Sequence, residues 1–168
     1  MRQVGAWRTV FIYVRRSDFA PLAPTFRDRL RAYLEPYRYT GMEIEIAEPY
    51  YVALRVALRV YLKSGAQPTV VREKLARVFG DTTRDDGSPA FFAPGNFHFG
   101  ESVYQSNVIA TAMAVPEVAW VEATEFCRAD AAGSVLEEIP MGALEIAELR
   151  SQSGRAHGVL HFDIREAA

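Results

Sequence analysis

The strongest pattern in the chain is a strict alternation of apolar and polar residues that follows Pro49. One set of alternate positions is entirely aliphatic: Val52, Leu54, Val56, Leu58, Val60 and Leu62. The other set carries the larger polar and aromatic side chains Tyr51, Arg55, Arg59 and Tyr61. Alternation of period two over this length predicts a long strand with one buried face and one face open to solvent or to a partner.

The first predicted helix lies between the pair Pro21 and Pro24 and the single Pro36. Its apolar residues recur at helical spacing: Phe26, Leu30, Tyr33, Leu34 and Tyr37. Thr25 and Asp28 stand where a capping pair would satisfy the first free amides. Because Pro36 disfavours helical geometry at the residue before it, we expect the helix to end near Leu34.

Two more helices are predicted in the middle of the chain. Pro68 is a good first-turn residue for one that stops at Gly80, with an apolar stripe of Val71, Leu75, Val78 and Phe79. The other begins at Ser102, where Gln105 completes a capping box, and ends before Pro116. Its expected buried face is Tyr104, Val108, Ala112 and Val115.

Weaker strand patterns lie at residues 9–15, 42–46, 118–126, 144–149 and 158–164. The first of these is apolar enough to be buried on both faces, whereas the faces of 118–126 are both mixed and do not reveal a core side. The order of elements predicts an α+β fold, in which helices cover one face of an antiparallel sheet in ferredoxin-like order, β-α-β-β-α-α-β. We expect a domain at 1–130 and a β-hairpin extension at 131–168.

The composition argues against some classes of function but does not assign one. The 168 residues are 49% hydrophobic and 24% charged, with a net charge of −2, so a general affinity for nucleic acid or anionic lipid is not expected. Cys127 is the only cysteine, which excludes an intrachain disulfide and favours a reducing compartment during folding. The amino terminus lacks the pattern of a Sec-type signal peptide.

The last predicted strand carries the one combination of residues typical of a metal site. His157, His161 and Asp163 would share a face, and the alternative function is therefore a small metal-dependent hydrolase that uses them, with His98 as a further candidate. An ordinary strand without a metal is favoured. Its opposite face carries Leu160, Phe162 and Ile164, which make a row of core residues and leave the His and Asp side chains outside. The three aspartates at 81, 85 and 86 lack calcium-loop spacing. We predict no catalytic, metal or cofactor site.

An aromatic segment, Phe91, Phe92, Phe97 and Phe99, follows no regular period and holds no reactive constellation. We predict that it forms a contact surface, together with the polar face of the long strand, because aromatic residues and Arg are favoured at protein interfaces. A ligand pocket lined by the same rings is a third possibility, with no specific polar group to support it.

The run Phe91–Ser106 (FFAPGNFHFGESVYQS) resembles the carboxy-terminal region of baseplate assembly proteins. These are the J-like wedge proteins of contractile phage tails and of phage-tail-like contractile injection systems. The similarity continues through Ala114–Val118 at a helix-to-strand turn, and it extends to Tyr37–Val52, Thr9–Arg15 and Leu144–Leu149, in order along most of the chain.

The resemblance implies a structural part of the baseplate wedge, not an enzyme, which links the central hub to the sheath. Its implied partners are other wedge, hub and sheath-initiator proteins, with self-association inside the wedge, and neither nucleic acid nor membrane insertion. It also implies synthesis in the bacterial cytoplasm and incorporation into an assembled particle. Members of that family are longer, so the chain would correspond to part of one or to a short relative.

Overall fold

The computed structural model describes residues 2–4, 7–16, 21–84, 87–131, 133–149 and 158–166. Within these residues, three α-helices and nine β-strands form a mixed α/β structure with three sheets. The chain divides into two compact units, residues 1–50 and 51–168.

The first unit is a small sheet with one helix. It contains β1 (Arg2–Val4), β2 (Trp7–Tyr13), α1 (Pro24–Leu34) and β3 (Met42–Ala47). The strand β1 runs antiparallel to β2, and β2 runs parallel to β3, so α1 is the crossover that a parallel pair requires. A short 3₁₀ turn at Glu35–Tyr37 follows the helix.

The helix α1 ends at Leu34 as predicted, but it begins differently. Pro24 is its first residue, and no side chain caps its amino terminus, so the predicted Thr25 and Asp28 pair does not form. Proline presets the backbone angle of the first turn and lacks the amide that a cap would satisfy, which removes part of the need for one.

The apolar stripe of α1 is not buried, and the predicted burial of β2 on both faces is also wrong. No residue of the helix is buried, while Thr9 is buried in β2 and Phe11 in the same strand is exposed. Ion pairs connect the helix to β3 and to the residue that follows it. Arg31 lies 3.7 Å from Glu45 of β3. Arg27 forms an ion pair with Glu48, whose carboxylate also accepts a hydrogen bond of 2.9 Å from the amide of Leu22.

The second unit is organised around one long strand. Its elements are β4 (Tyr50–Leu62), α2 (Pro68–Val78), β5 (Val103–Tyr104), α3 (Gln105–Met113), β6 (Val118–Arg128), β7 (Glu138–Ile139), β8 (Glu145–Glu148) and β9 (Val159–Glu166). The strand β6 pairs antiparallel with one edge of β4, and β9 pairs parallel with the other. The strand β8 is also hydrogen-bonded to β4, and β5 pairs with β7 in a separate ladder.

These ladders correct the predicted topology. The strands described do not form a single antiparallel sheet in ferredoxin-like order, because β2–β3 and β4–β9 are parallel pairs and the first unit has a sheet of its own. Both β8 and β9 pair with β4, so they extend its sheet and are not an appended hairpin. The compact units accordingly divide at residue 50, whereas the predicted boundary was residue 130. Alternation within a strand reports which face is buried, not the direction of its neighbours.

The aliphatic face of β4 is the centre of the core, as predicted. All six of its residues are buried, and Val71 and Leu75 of α2 and Val108 and Ala112 of α3 belong to the same hydrophobic cluster. Arg72 of α2 donates a 3.1 Å hydrogen bond to the carbonyl of Phe162, which fixes the helix over β9. Each fully buried Val or Leu contributes roughly 1.5–3 kcal/mol.

The third helix begins three residues later than predicted. Val103 and Tyr104 pair with Ile139 and Glu138 as strand, so the helix starts at Gln105 without a side-chain cap. This pairing buries Val103 and leaves Tyr104 exposed, contrary to the predicted buried face.

Gly158 marks the point where β9 joins the edge of β4. Its φ is +97°, and a Cβ at this position would lie 2.6 Å from the carbonyl oxygen of Leu54 and 3.4 Å from that of Glu148. Both backbone oxygens belong to packed strands, so moving either one to make room for a Cβ would cost folding stability.

A bidentate ion pair connects the end of β6 to the start of β8. Arg128 Nη1 and Nη2 lie 2.8 and 2.9 Å from the two carboxylate oxygens of Glu145, and the amide of Gly142 donates to the same carboxylate at 2.8 Å. The hydrogen bonds from Arg128 are the largest cause, and the one from the Gly142 amide is the next largest, of a shift that lowers the pKa of Glu145 from 4.5 to about 2.

We predict that Gly158→Ala destabilises the protein by at least about 3 kcal/mol, because the new Cβ adds a backbone clash to the strain of positive φ. The matched control is Gly65→Ala, where φ is +82° but no atom lies within 4 Å of the new Cβ. That variant should lose only about 1 kcal/mol. Urea unfolding followed by circular dichroism measures both, and equal losses would contradict the close approach at Gly158.

We predict that protonation of Glu145 accounts for part of the loss of folding stability at acidic pH. Since its pKa is about 2 in the folded protein and 4.5 in its ordinary state, the unfolded chain binds this proton first as the pH drops. The contribution of the pair is therefore complete above about pH 5 and is lost progressively towards about pH 2. In the variant Glu145→Gln, the urea concentration at the unfolding midpoint should fall less between pH 5 and pH 3 than it does in the parent protein. The exposed Glu73→Gln should behave like the parent, and an unchanged slope in Glu145→Gln would refute the assignment.

Candidate protein contact surface

The face of the second sheet opposite the core carries nine polar or aromatic side chains from three strands, and we call it the outer sheet face. Its members are Arg55, Arg59 and Tyr61 of β4, Trp120, Glu122 and Glu125 of β6, and His161, Asp163 and Arg165 of β9. The pairing register places them in rows across the sheet. Trp120, Tyr61 and Arg165 form one row, and Glu122, Arg59 and Asp163 form the next.

An aromatic stack lies at one end of this face. The rings of Tyr61 and Trp120 are parallel within 4°, with centroids 4.1 Å apart. Trp120 nevertheless remains 47% exposed, so one side of its indole ring is open. A large flat ring that is held in place but still accessible is a typical anchor for a protein partner.

Ion pairs fix the charged side chains beside the stack. Arg59 lies between two carboxylates, with Nε 3.2 Å from Asp163 and Nη1 3.2 Å from Glu122. Arg165 also contacts Asp163, at 3.0 Å from Nε. Glu122, Arg59, Asp163 and Arg165 therefore form a connected network of alternating charge, and its members are held in defined orientations.

A second ion pair extends the pattern along β4. Arg55 Nε lies 2.7 Å from Glu125, whose carboxylate also accepts the amide of Gly133 at 3.1 Å. The hydrogen bond from Arg55 holds the pKa of Glu125 below its usual value. The hydrogen bonds from Arg165 and then Arg59 do the same for Asp163. In both cases the arginine partner favours the ionised carboxylate.

Two irregularities in β6 bring its side chains to this face. The register with β4 shifts between Ala57 and Leu58, where Thr124 is the extra residue and its hydroxyl donates to the carbonyl of Ala57 at 3.2 Å. A second shift lies between Tyr61 and Leu62. Each extra residue reverses which alternate positions face outward. The bulges explain why both faces of this strand look mixed in the sequence.

The predicted aromatic contact segment lies mostly in the interior. Phe92 is 1% exposed, and Phe97 is also buried, whereas Phe99 is 38% exposed. Phe91 packs edge-on against Phe92 with centroids 4.8 Å apart, and Phe79 of the α2 carboxyl end contacts both. The segment therefore closes one end of the core, and Phe99 is the member of the set that a partner can reach.

Of the predicted residues on β4, Arg55, Arg59 and Tyr61 come together on the outer sheet face. Tyr51 is half-buried and packs against the core cluster. Trp120, Glu122, Glu125 and Arg165 were missed by sequence reasoning. An alternating pattern would have found Arg165, but the bulges hide the three residues of β6.

The candidate catalytic groups are dispersed. His98 is exposed and contacts Glu101 at 3.0 Å through Nδ1, and Cys127 is fully buried in β6. His161 and Asp163 share the outer sheet face as predicted, while His157, Asp85 and Asp86 lie outside the described residues. Among the residues that the structure describes, no group of three His, Cys, Asp or Glu side chains is arranged to hold a metal ion.

Comparison with known proteins adds no family assignment. No protein-family model matches the chain, and no curated protein sequence matches it. In the described part of the chain, none of the helices has the length and apolarity needed to cross a bilayer.

We predict that Phe92→Ala costs roughly 3–5 kcal/mol of stability, because it leaves a cavity where the ring was buried. Phe99→Ala should cost less than about 1 kcal/mol, since that ring is already partly in water. Thermal and urea unfolding of the two variants distinguish a core role from a surface role. A small loss in Phe92→Ala would show that this segment is not part of the core in solution.

Proposed function

We propose that the protein is a structural component of a baseplate wedge in a contractile phage tail or a related injection system, and that it acts by binding other proteins. The observation that carries the binding role is the outer sheet face. It combines an accessible, stacked Trp120 with ion pairs that hold Arg55 and Arg59 in place. The baseplate assignment comes from the sequence resemblance.

The physical argument rests on the low cost of ordering this surface. A binding interface must immobilise its side chains, at about 0.5–1.5 kcal/mol for each long one. On the outer sheet face, Arg59 is already restrained by Glu122 and Asp163, and Trp120 by Tyr61. Most of that entropy is lost on folding, so a partner gains contacts without ordering the surface again.

The hydrolase alternative has less support. A metal at His161 and Asp163 would have to displace Arg59 and Arg165 from the Asp163 carboxylate. His98 contacts Glu101 on an exposed turn. Among the described residues, its ring is not hydrogen-bonded to a Ser, Thr or Cys side chain that could act as a nucleophile. We therefore propose a binding role for these residues.

The binding test uses the proteins encoded next to this chain, purified and titrated against it by isothermal calorimetry. If the proposal holds, at least one wedge, hub or sheath-initiator protein forms a defined complex. Trp120→Ala should weaken that complex by roughly 2 kcal/mol, or about 30-fold, because an aromatic anchor is lost from a restrained surface.

The matched control is Leu144→Ala, which removes an exposed apolar side chain that is not part of the outer sheet face. It should leave the affinity unchanged. A complex that forms equally well with Trp120→Ala and the control would remove the outer sheet face from the proposal. Absence of binding to every neighbouring protein would overturn the baseplate assignment itself.

A further inference from the structure

A small pocket lies between the aromatic segment and the start of α3 in the second unit. Its volume is about 310 Å³, and Phe91, Phe97 and Tyr104 are among the residues that line it, so we call it the aromatic pocket. Ligand pockets commonly range from roughly 300 to 1,000 Å³. The aromatic pocket therefore has room for one side chain or a small organic molecule.

Three aromatic rings form walls of this pocket. Phe91 and Phe97 meet at an angle of 68° with centroids 5.8 Å apart, and the third ring belongs to Tyr104, which is 45% exposed. Phe92 contacts Phe97 with centroids 5.9 Å apart, so the core holds that wall in place. A flat partner surface can reach Phe99, whereas a slender group can enter the pocket and touch the rings inside it.

The polar lining of the aromatic pocket offers acceptors and no cation. Among the described residues that line it, Glu101 alone carries a charge. Its Oε2 lies 2.8 Å from the amide of His98 and 3.0 Å from Nδ1 of the same residue, while no described residue donates to Oε1. The side-chain nitrogen of Asn96 donates to the carbonyls of Ala90 and Phe91, so its oxygen is the atom left to accept from a ligand.

We propose that the aromatic pocket binds an alkyl ammonium group, presented either by a lysine of a protein partner or by a free amine. Aromatic ring faces attract an ammonium group within about 6 Å of the ring centroid. The Glu101 carboxylate supplies the opposite charge, and Val103 adds apolar surface for the alkyl stem. The site shares no residue with the outer sheet face, and the inference does not depend on the proposed baseplate function.

The occupied oxygen of Glu101 favours an ammonium over a guanidinium. Arginine binds a carboxylate best through two parallel hydrogen bonds, one to each oxygen. The contacts of His98 already use Oε2, so this paired arrangement would have to replace them. An ammonium is a point charge with three donors, and it can bond to Oε1 of Glu101 and to the Asn96 oxygen separately.

The test is an NMR titration of the isotope-labelled full chain with butylammonium chloride. Backbone signals of Phe91, Phe97 and Glu101 should shift and saturate with a dissociation constant on the order of 1 mM, as expected for so small a ligand. Butanol has the same stem without the charge and should bind about tenfold more weakly. Sodium chloride at equal concentration is the control for ionic strength.

Two short peptides distinguish the sources of the ammonium group. If a lysine of a partner is the occupant, Ac-Gly-Lys-Gly-NH2 should bind at least as tightly as butylammonium. Ac-Gly-Arg-Gly-NH2 should bind roughly tenfold more weakly than the lysine peptide, because its fork lacks the second oxygen. Binding of butylammonium without the lysine peptide would exclude lysine as the source and assign the pocket to free amines.

Two variants identify the groups responsible. Glu101→Gln keeps the shape of the side chain but removes its charge, and it should weaken butylammonium about tenfold while leaving butanol unchanged. Phe91→Leu keeps an apolar wall without the ring, and it should weaken butylammonium roughly two- to fivefold more than butanol. The matched control is Glu73→Gln, an exposed position that does not line the pocket, which should bind like the parent. The NMR spectrum of each variant reports whether it is folded.

Three results would overturn the inference. Shifts that fail to saturate, or that sodium chloride reproduces, would show that no ammonium site is present. Equal affinities for butanol and butylammonium, or for the lysine and arginine peptides, would exclude selectivity for an ammonium group. A folded Glu101→Gln variant that binds butylammonium as tightly as the parent would exclude this carboxylate as the charged partner.

Discussion

The structure of the second unit depends on the burial of one face of β4. Its aliphatic residues occupy the centre of the sheet, and α2, α3 and the aromatic cluster around Phe79 all pack on them. Both edges of the strand are paired, by β6 on one side and by β8 and β9 on the other. The strand therefore has no free edge over most of its length, and its direction sets the positions of the elements around it.

The same constraint produces the outer sheet face. Once one set of alternate residues is buried, the other set must point away from the core. On β4 that set includes Arg55 and Arg59, and the neighbouring strands supply the carboxylates that pair with them. The ion pairs add little stability at an exposed site, but they limit the orientations of the side chains. A surface with fixed charges and an accessible ring is suited to recognition.

The aromatic segment shows how composition can mislead. Its rings are more numerous than a small helix needs, which suggested a surface for partners. The structure places Phe92 against Phe79 and Phe97 against Phe92, and both rings are part of the buried core. Asn96 fixes the loop by donating to the carbonyls of Ala90 and Phe91. The proposed binding role consequently rests on the sheet and not on this loop.

The sequence by itself determined the features that depend on local periodicity: the long strand and its buried face, the extent of α2, and the alternate faces of β9. It did not determine strand direction, the pairing of β8 and β9 with β4, or the face of β6 that points outward. Those depend on contacts between residues far apart in the chain, such as Arg55 with Glu125, and on a bulge at Thr124 that shifts the alternation. Hydrophobic periodicity is a property of one segment, whereas register and direction are properties of a pair, so only the tertiary structure could decide them.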